Sequence, residues 1–224
     1  MARRLAEHLG VLEPLQTAAS IDGQIEELKA VLDRKASPPA TLIGFSWGAW
    51  LGLLFAARYP ALVKKLILIG SGPFEEGYAP MIQETRLSRL NAEQRAKIKA
   101  LKKSSDTDAS LRRLGAIFKK ADAYDLIEAP DDVVVRADIF RSVWPQAEAL
   151  RKSGKLLELA ERVRCPVLAF HGDHDPHPAE GVREPLSRVL KDFRFFLLKD
   201  CGHIPWLERQ ARDGFFKRLA GLLA

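Results

Sequence analysis

Between Ala40 and Ala57 the chain runs for 18 residues without a charge, ATLIGFSWGAWLGLLFAA. Such a run permits few outcomes: a membrane span, a buried helix, or two buried elements joined by a tight turn. Gly44, Ser46, Gly48 and Gly52 interrupt it, and Pro38-Pro39 precedes it, which argues against one continuous helix in lipid. Thr41-Leu42-Ile43 reads as a strand and Trp47 to Arg58 as a helix. The expectation is a strand–turn–helix unit with Ser46 at the turn.

Three further segments are likewise dominated by apolar residues without strict alternation: KKLILIG at 64–70, PVLAFHG at 166–172 and FRFFLL at 193–198. Strands that are apolar throughout, rather than alternating, are covered on both faces and belong to parallel sheets. Ile21, Ile25, Leu28 and Leu32 recur at helical spacing, so residues 21–35 should form an amphipathic helix. Upstream, a short helix is expected around Ala2 to Leu9, then a strand from Val11 to Gln16 broken by Pro14. Trp206, Leu207, Ala211, Phe215, Leu219 and Leu222 suggest a closing helix.

Residues 73–160 differ: they are charged, helical in pattern and without a convincing strand. Asn91 with Gln94 has the form of a helix-capping pair, and 104–108 and 129–132 read as loops. The fold class expected is therefore α/β, a mostly parallel sheet flanked by helices, with residues 1–72 and 161–224 as core and 73–160 as an inserted helical cap.

The net charge of +6 is spread along 224 residues, densest in RAKIKALKKSS and SLRRLGAIFKK, which look like helices with basic, solvated outer faces. No nucleic-acid motif accompanies the charge, so neither nucleic acid nor membrane is expected as a partner. Cys165 and Cys201 are the two cysteines, a usage that fits a reducing, cytoplasmic setting. The first ten residues lack the long apolar run of a secretion signal.

Gly44-Phe45-Ser46-Trp47-Gly48 satisfies G-x-S-x-G, a pattern that about one window in three thousand meets by chance. Its placement carries more weight than the match. A nucleophile elbow needs a strand ending at the first glycine and a helix starting just past the serine. There the hydroxyl would project beside a helix N-terminus that favours developing negative charge. A serine also needs a base, and the base an orienting acid. HGDHDPHP follows one strand and supplies Asp175, with Asp173 as the competing acid; KDCGHIPW follows another and supplies His203. Parallel strands would bring both loops to the rim that holds Ser46.

With GFSWG, GDHD and GHIPW in this order, the sequence resembles the α/β-hydrolase family over residues 5–224, most closely its cap-bearing branch of esterases and proline iminopeptidase-like enzymes. The resemblance implies a serine hydrolase of ester, amide or similar small molecules, without cofactor or metal. Ser46 would be the nucleophile, Asp175 the acid, His203 the base and Trp47 N–H an oxyanion donor. Serine at the elbow, rather than aspartate, argues against dehalogenase and epoxide hydrolase chemistry. Cys201 near His203 reads as buried packing. His171, Asp173, His174, Asp175 and His177 superficially resemble a metal site, but no second ligand cluster completes it.

The chain departs from the family pattern at its start. Only 45 residues precede Ser46, and no strand with a His-Gly or Gly-Gly loop is among them. The expectations that follow are an internal start or a shortened variant, a missing second oxyanion donor, and open apolar strand edges unless the N-terminal segment or another subunit, as in a homo-oligomer, fills in. Two alternatives remain open from the sequence: a catalytically silent binding protein, and a lyase or cofactor-independent oxygenase built on the same triad.

Overall fold

The computed structural model describes residues 1–103, 107–129 and 134–223. The loop expected at 104–108 lies outside these apart from Thr107 and Asp108, and the one at 129–132 apart from Ala129.

The centre is a four-stranded sheet in the order β1-β2-β3-β4, formed by Ala40–Phe45, Val63–Ile69, Val167–Gly172 and Phe193–Leu198. All three pairings are parallel. The continuous apolar runs have a direct cause. Successive side chains of a strand point to opposite faces, and both faces are covered here. Leu66, Leu68, Val167 and Ala169 pack into one core with α3 (Trp47–Arg58). Ile67, Ile69, Leu168 and Phe170 pack into a second core with Phe215, Phe216 and Leu219 of α10 (Arg212–Leu223). Each buried valine, leucine, isoleucine or phenylalanine among them contributes about 2 kcal/mol, so a polar residue at any of these positions would be costly.

The helix expected at 21–35 is α2 (Ile21–Lys35), opened by Ser20, whose hydroxyl accepts the Gly23 N–H at 3.1 Å. Upstream, α1 spans only Ala2–Leu5. The expected strand at Val11–Gln16 does not form: those residues carry no regular structure, and Leu12 and Leu15 are exposed. Pro14 removes a ladder donor from the middle of the segment.

Between residues 79 and 160 the described residues form five helices, α4 (Ala79–Arg89), α5 (Ala92–Lys103), α6 (Asp108–Ala121), α7 (Ala137–Lys152) and α8 (Lys155–Ala160). The capping pair is present in full. Asn91 Oδ1 accepts the Gln94 N–H at 2.8 Å, and Gln94 Oε1 accepts the Asn91 N–H at 3.0 Å. The helices divide in two by packing. Leu90, Ile98 and Ala121 form a small core of their own beneath α5 and α6, whereas Val143, Ala147, Leu156 and Ala160 of α7 and α8 join the main core beside α3.

The closing helix starts later than its apolar spacing suggested. Pro205–Leu207 is a 3-10 turn and α10 begins at Arg212. The intervening backbone is committed elsewhere: Leu207 O accepts the Ile127 N–H at 2.7 Å, and Arg209 N–H donates to Asp125 O at 3.0 Å. Among the described residues, no helix is long and apolar enough to cross a membrane.

Candidate active site

Because every strand runs the same way, the residues following β1, β2, β3 and β4 gather at one rim of the sheet: Ser46, Gly70, Asp175 and His203. Ser46 links β1 to α3 with φ 53° and ψ −117°, a region that costs a residue with a Cβ on the order of 1–3 kcal/mol. The surroundings hold it there. Ser46 N–H donates to Ile69 O at 3.0 Å, and Ser46 O accepts the Ala49 N–H at 3.0 Å. The two glycines of the motif are not equivalent. A Cβ on Gly44 would lie 2.1 Å from the Gly48 carbonyl oxygen, while a Cβ on Gly48 would meet nothing within 4 Å. Only the first glycine is demanded by crowding.

Trp47 is the first residue of α3, a position whose N–H has no acceptor within the helix. Its indole Nε1–H donates to Gln24 Oε1 at 2.9 Å. Trp50 is core: it is buried, stacks on Trp144 at 6.1 Å between centroids, and donates Nε1–H to Gly72 O at 3.1 Å.

His203 reaches the rim on the loop after β4. Its N–H donates to the backbone oxygen of Asp122 at 2.9 Å, and the Asp122 carboxylate is paired with Arg86 through Nε at 2.8 Å. Gly70, at φ +51°, passes so close that a Cβ there would sit 3.1 Å from His203 Nδ1. The imidazole packs on Phe45 at 4.8 Å and on His177 at 4.6 Å. Its Nδ1 lies 2.8 Å from Asp175 Oδ2. Asp173, the competing acid, instead accepts the Cys201 N–H at 3.1 Å, so it braces the loop that presents His203.

The Asp175 side chain is fully buried. Burial works against its charge, and the facing His203, His177 and His171 outweigh it, holding the carboxyl well below the usual carboxylate range. Its second oxygen, Oδ1, accepts the His177 N–H at 3.0 Å and lies 2.7 Å from His177 Nδ1. Burial pushes His177 below its ordinary imidazole value of 6.5, against the pull of Asp175. Both groups therefore bind fewer protons folded than unfolded, which makes the fold acid-sensitive. Their contribution is complete above about 6.5 and is expected to fall in two stages on acidification. The first begins near 6.5 as His177 lags its unfolded value, and the second below about 4 as Asp175 does. Urea unfolding between pH 8 and pH 3 checks this; a flat profile from pH 7 to pH 5 would contradict the His177 stage.

The structure thus brings Asp175 and His203 into direct contact and sets Ser46 at the same rim, at the end of β1, with β2 between β1 and β3. Among the described residues, the Ser46 hydroxyl forms no hydrogen bond with His203. Cys201 is buried, and burial pushes its thiol far up, so it stays protonated. Asp175, His177 and His203 bring potential ligand atoms within 4.8 Å of one another, yet both Nδ1 atoms already face the shared carboxylate. The sequence reading grouped His177 with a metal-like cluster and missed its contact with the acid; the spacing D-x-H was its one visible signal. Asp122 was missed altogether, since it acts through a backbone oxygen that no residue type marks.

The profile of the alpha/beta hydrolase fold matches residues 13–210. The chain belongs to the α/β-hydrolase family. It is 28% identical over 191 residues to a pimeloyl-[acyl-carrier protein] methyl ester esterase of Chromobacterium violaceum, covering 81% of this chain and 69% of that one. In structure it resembles the proline iminopeptidase of Mycobacterium smegmatis, with TM-score 0.59, 20% identity, and 92% and 73% of the two chains covered. It also resembles an enol-lactonase from Burkholderia xenovorans LB400, with TM-score 0.56, 21% identity, and 91% and 73% covered. Those two likenesses speak to the fold. The family and the esterase relative support a hydrolase of this superfamily.

Proposed function

We propose that this α/β-hydrolase cleaves a carboxylic ester through an acyl-enzyme on Ser46. The observation that carries the reading is the buried Asp175–His203 contact at the rim where the strained Ser46 elbow ends. In this reading Asp175 holds the Nδ1–H of His203, leaving Nε2 as the base. Ser46 Oγ attacks the carbonyl carbon as its proton passes to Nε2, and the Trp47 N–H donates to the oxyanion. Collapse expels the alcohol, which takes the proton back from His203. Water, deprotonated by the same imidazole, then releases the acid. The methyl ester named for the Chromobacterium relative favours small-alcohol esters over amides. The helices α4–α6 would act as the cap, since Asp122 at the end of α6 holds the His203 backbone.

A fluorophosphonate probe tests the chemistry, together with a series of p-nitrophenyl and methyl esters. Stoichiometric labelling at Ser46 and ester turnover are the expected results. A folded protein that neither labels nor turns over any ester would instead favour the silent binding protein.

A further inference from the structure

Asp175 is shared between two imidazoles, and the serine-hydrolase reading uses only one of them. The other, His177, sits two residues beyond the acid with its side chain largely buried. It donates twice to Oδ1, through its backbone N–H at 3.0 Å and its ring Nδ1 at 2.7 Å, while His203 takes Oδ2 at 2.8 Å. A carboxylate oxygen only accepts, so in the neutral ring the proton must sit on Nδ1. The two rings stack at 4.6 Å with 29° between their planes. The turn that carries His177 is fixed in its own right. His171, buried in β3, donates Nε2–H to the His177 carbonyl oxygen at 2.7 Å, and its Nδ1 is buried without a partner. The unpartnered nitrogen carries a desolvation cost, while the other nitrogen of the same ring holds the His177 backbone.

We propose that His177 is a positioning residue: it clamps the carboxylate of Asp175 so that one oxygen faces His203 squarely, and it withdraws part of that carboxylate's charge from the base. The inference rests on the serine-hydrolase reading for its catalytic meaning, although the clamp itself is a matter of geometry. Neutrality of His177 is part of the device. A second cation stacked on His203 would oppose the imidazolium that forms as Ser46 attacks. The groups facing His177 are Asp175 and His203 from the strand-end loops and, across from α4, Arg86, which is held by Asp122. Arg89 of α4 also acts on Asp175.

The clamp makes a prediction with a sign. His177→Phe keeps an aromatic face on His203 but removes the ring donor. The whole carboxylate charge then bears on His203, and its titration midpoint should rise by about one unit, with the acid limb of kcat/KM moving to match. The plateau of kcat/KM should fall by roughly tenfold, through kcat, as the carboxylate swings off line. His177→Asn returns an N–H to the same oxygen and should bring the midpoint back to within about 0.3 unit of the unaltered protein. Residue-resolved NMR of the imidazoles reads the midpoint without any substrate. In the unaltered protein the same spectra should show the His177 proton on Nδ1, a measurement that stands whether or not a variant folds. The proposal is overturned by a His177 proton on Nε2, or by a His203 midpoint that does not move in the phenylalanine variant. A loss of thermal stability without movement of the midpoint would make His177 a packing residue and overturn it too. Absence of fluorophosphonate labelling would instead strike at the serine reading alone, since the NMR midpoints would still report the clamp.

Discussion

Replacing Ser46 with alanine is expected to lower ester turnover by about five orders of magnitude while leaving the fold intact. In the proposed mechanism the acyl bond forms on this hydroxyl; Cys201 is buried and held as a thiol. Alanine keeps the Cβ, so the strain at φ 53° is the same in both proteins, and the hydroxyl gives up no helix-capping hydrogen bond among the described residues. Melting temperatures should therefore agree within about 2 °C. The residual rate would come from binding and the helix-terminal N–H donors alone. Steady-state kinetics with a reactive ester, alongside a thermal melt, checks both halves. Activity within tenfold of the unaltered protein would remove Ser46 from the chemistry and leave the Asp175–His203 pair without a nucleophile.

The second large effect separates the two glycines of the elbow. Gly44→Ala forces a Cβ to 2.1 Å from the Gly48 carbonyl oxygen and 2.5 Å from its carbon. Neither backbone can yield easily. Gly44 is paired with Leu68 in the sheet, and Gly48 opens a helix whose Ala49, Leu51 and Leu53 are buried. A loss of more than about 4 kcal/mol is expected, a large part of the 5–15 kcal/mol that holds a typical domain together. Gly48→Ala points into open space, and alanine's better helix propensity makes it neutral or stabilising by up to about 1 kcal/mol. Urea denaturation of the pair reads the contrast. Equal losses would mean that the elbow is crowded on both sides.

Much of this fold was legible because its signals are local. The alternating destinations of Leu66, Ile67, Leu68 and Ile69 need two covered faces, and a run with no polar break states that requirement outright. The elbow, the Asp175 loop and the His203 loop could be read from residue type and strand placement. What escaped depended on partners distant in the chain. Residues 206–211 carry a helical apolar stripe, yet their backbone bonds with residues 125–127, which spacing cannot express. The helical block reads as one unit, but its last two helices share the main core with α3 because Ala147 and Leu156 meet that core rather than Ile98. His177 was visible as a residue but not as a donor, since its contact with Asp175 depends on a turn held by His171.

Among the described residues, β1 has β2 on one side and no strand on the other, and most of its residues are half-buried. The ribbon that carries Ser46 is thus paired with another strand along a single seam, and its outer selvage has no strand partner among the described residues, the kind of edge on which a further strand can pair. A peptide segment zipped onto that selvage would stiffen the very residues that end in the hydroxyl.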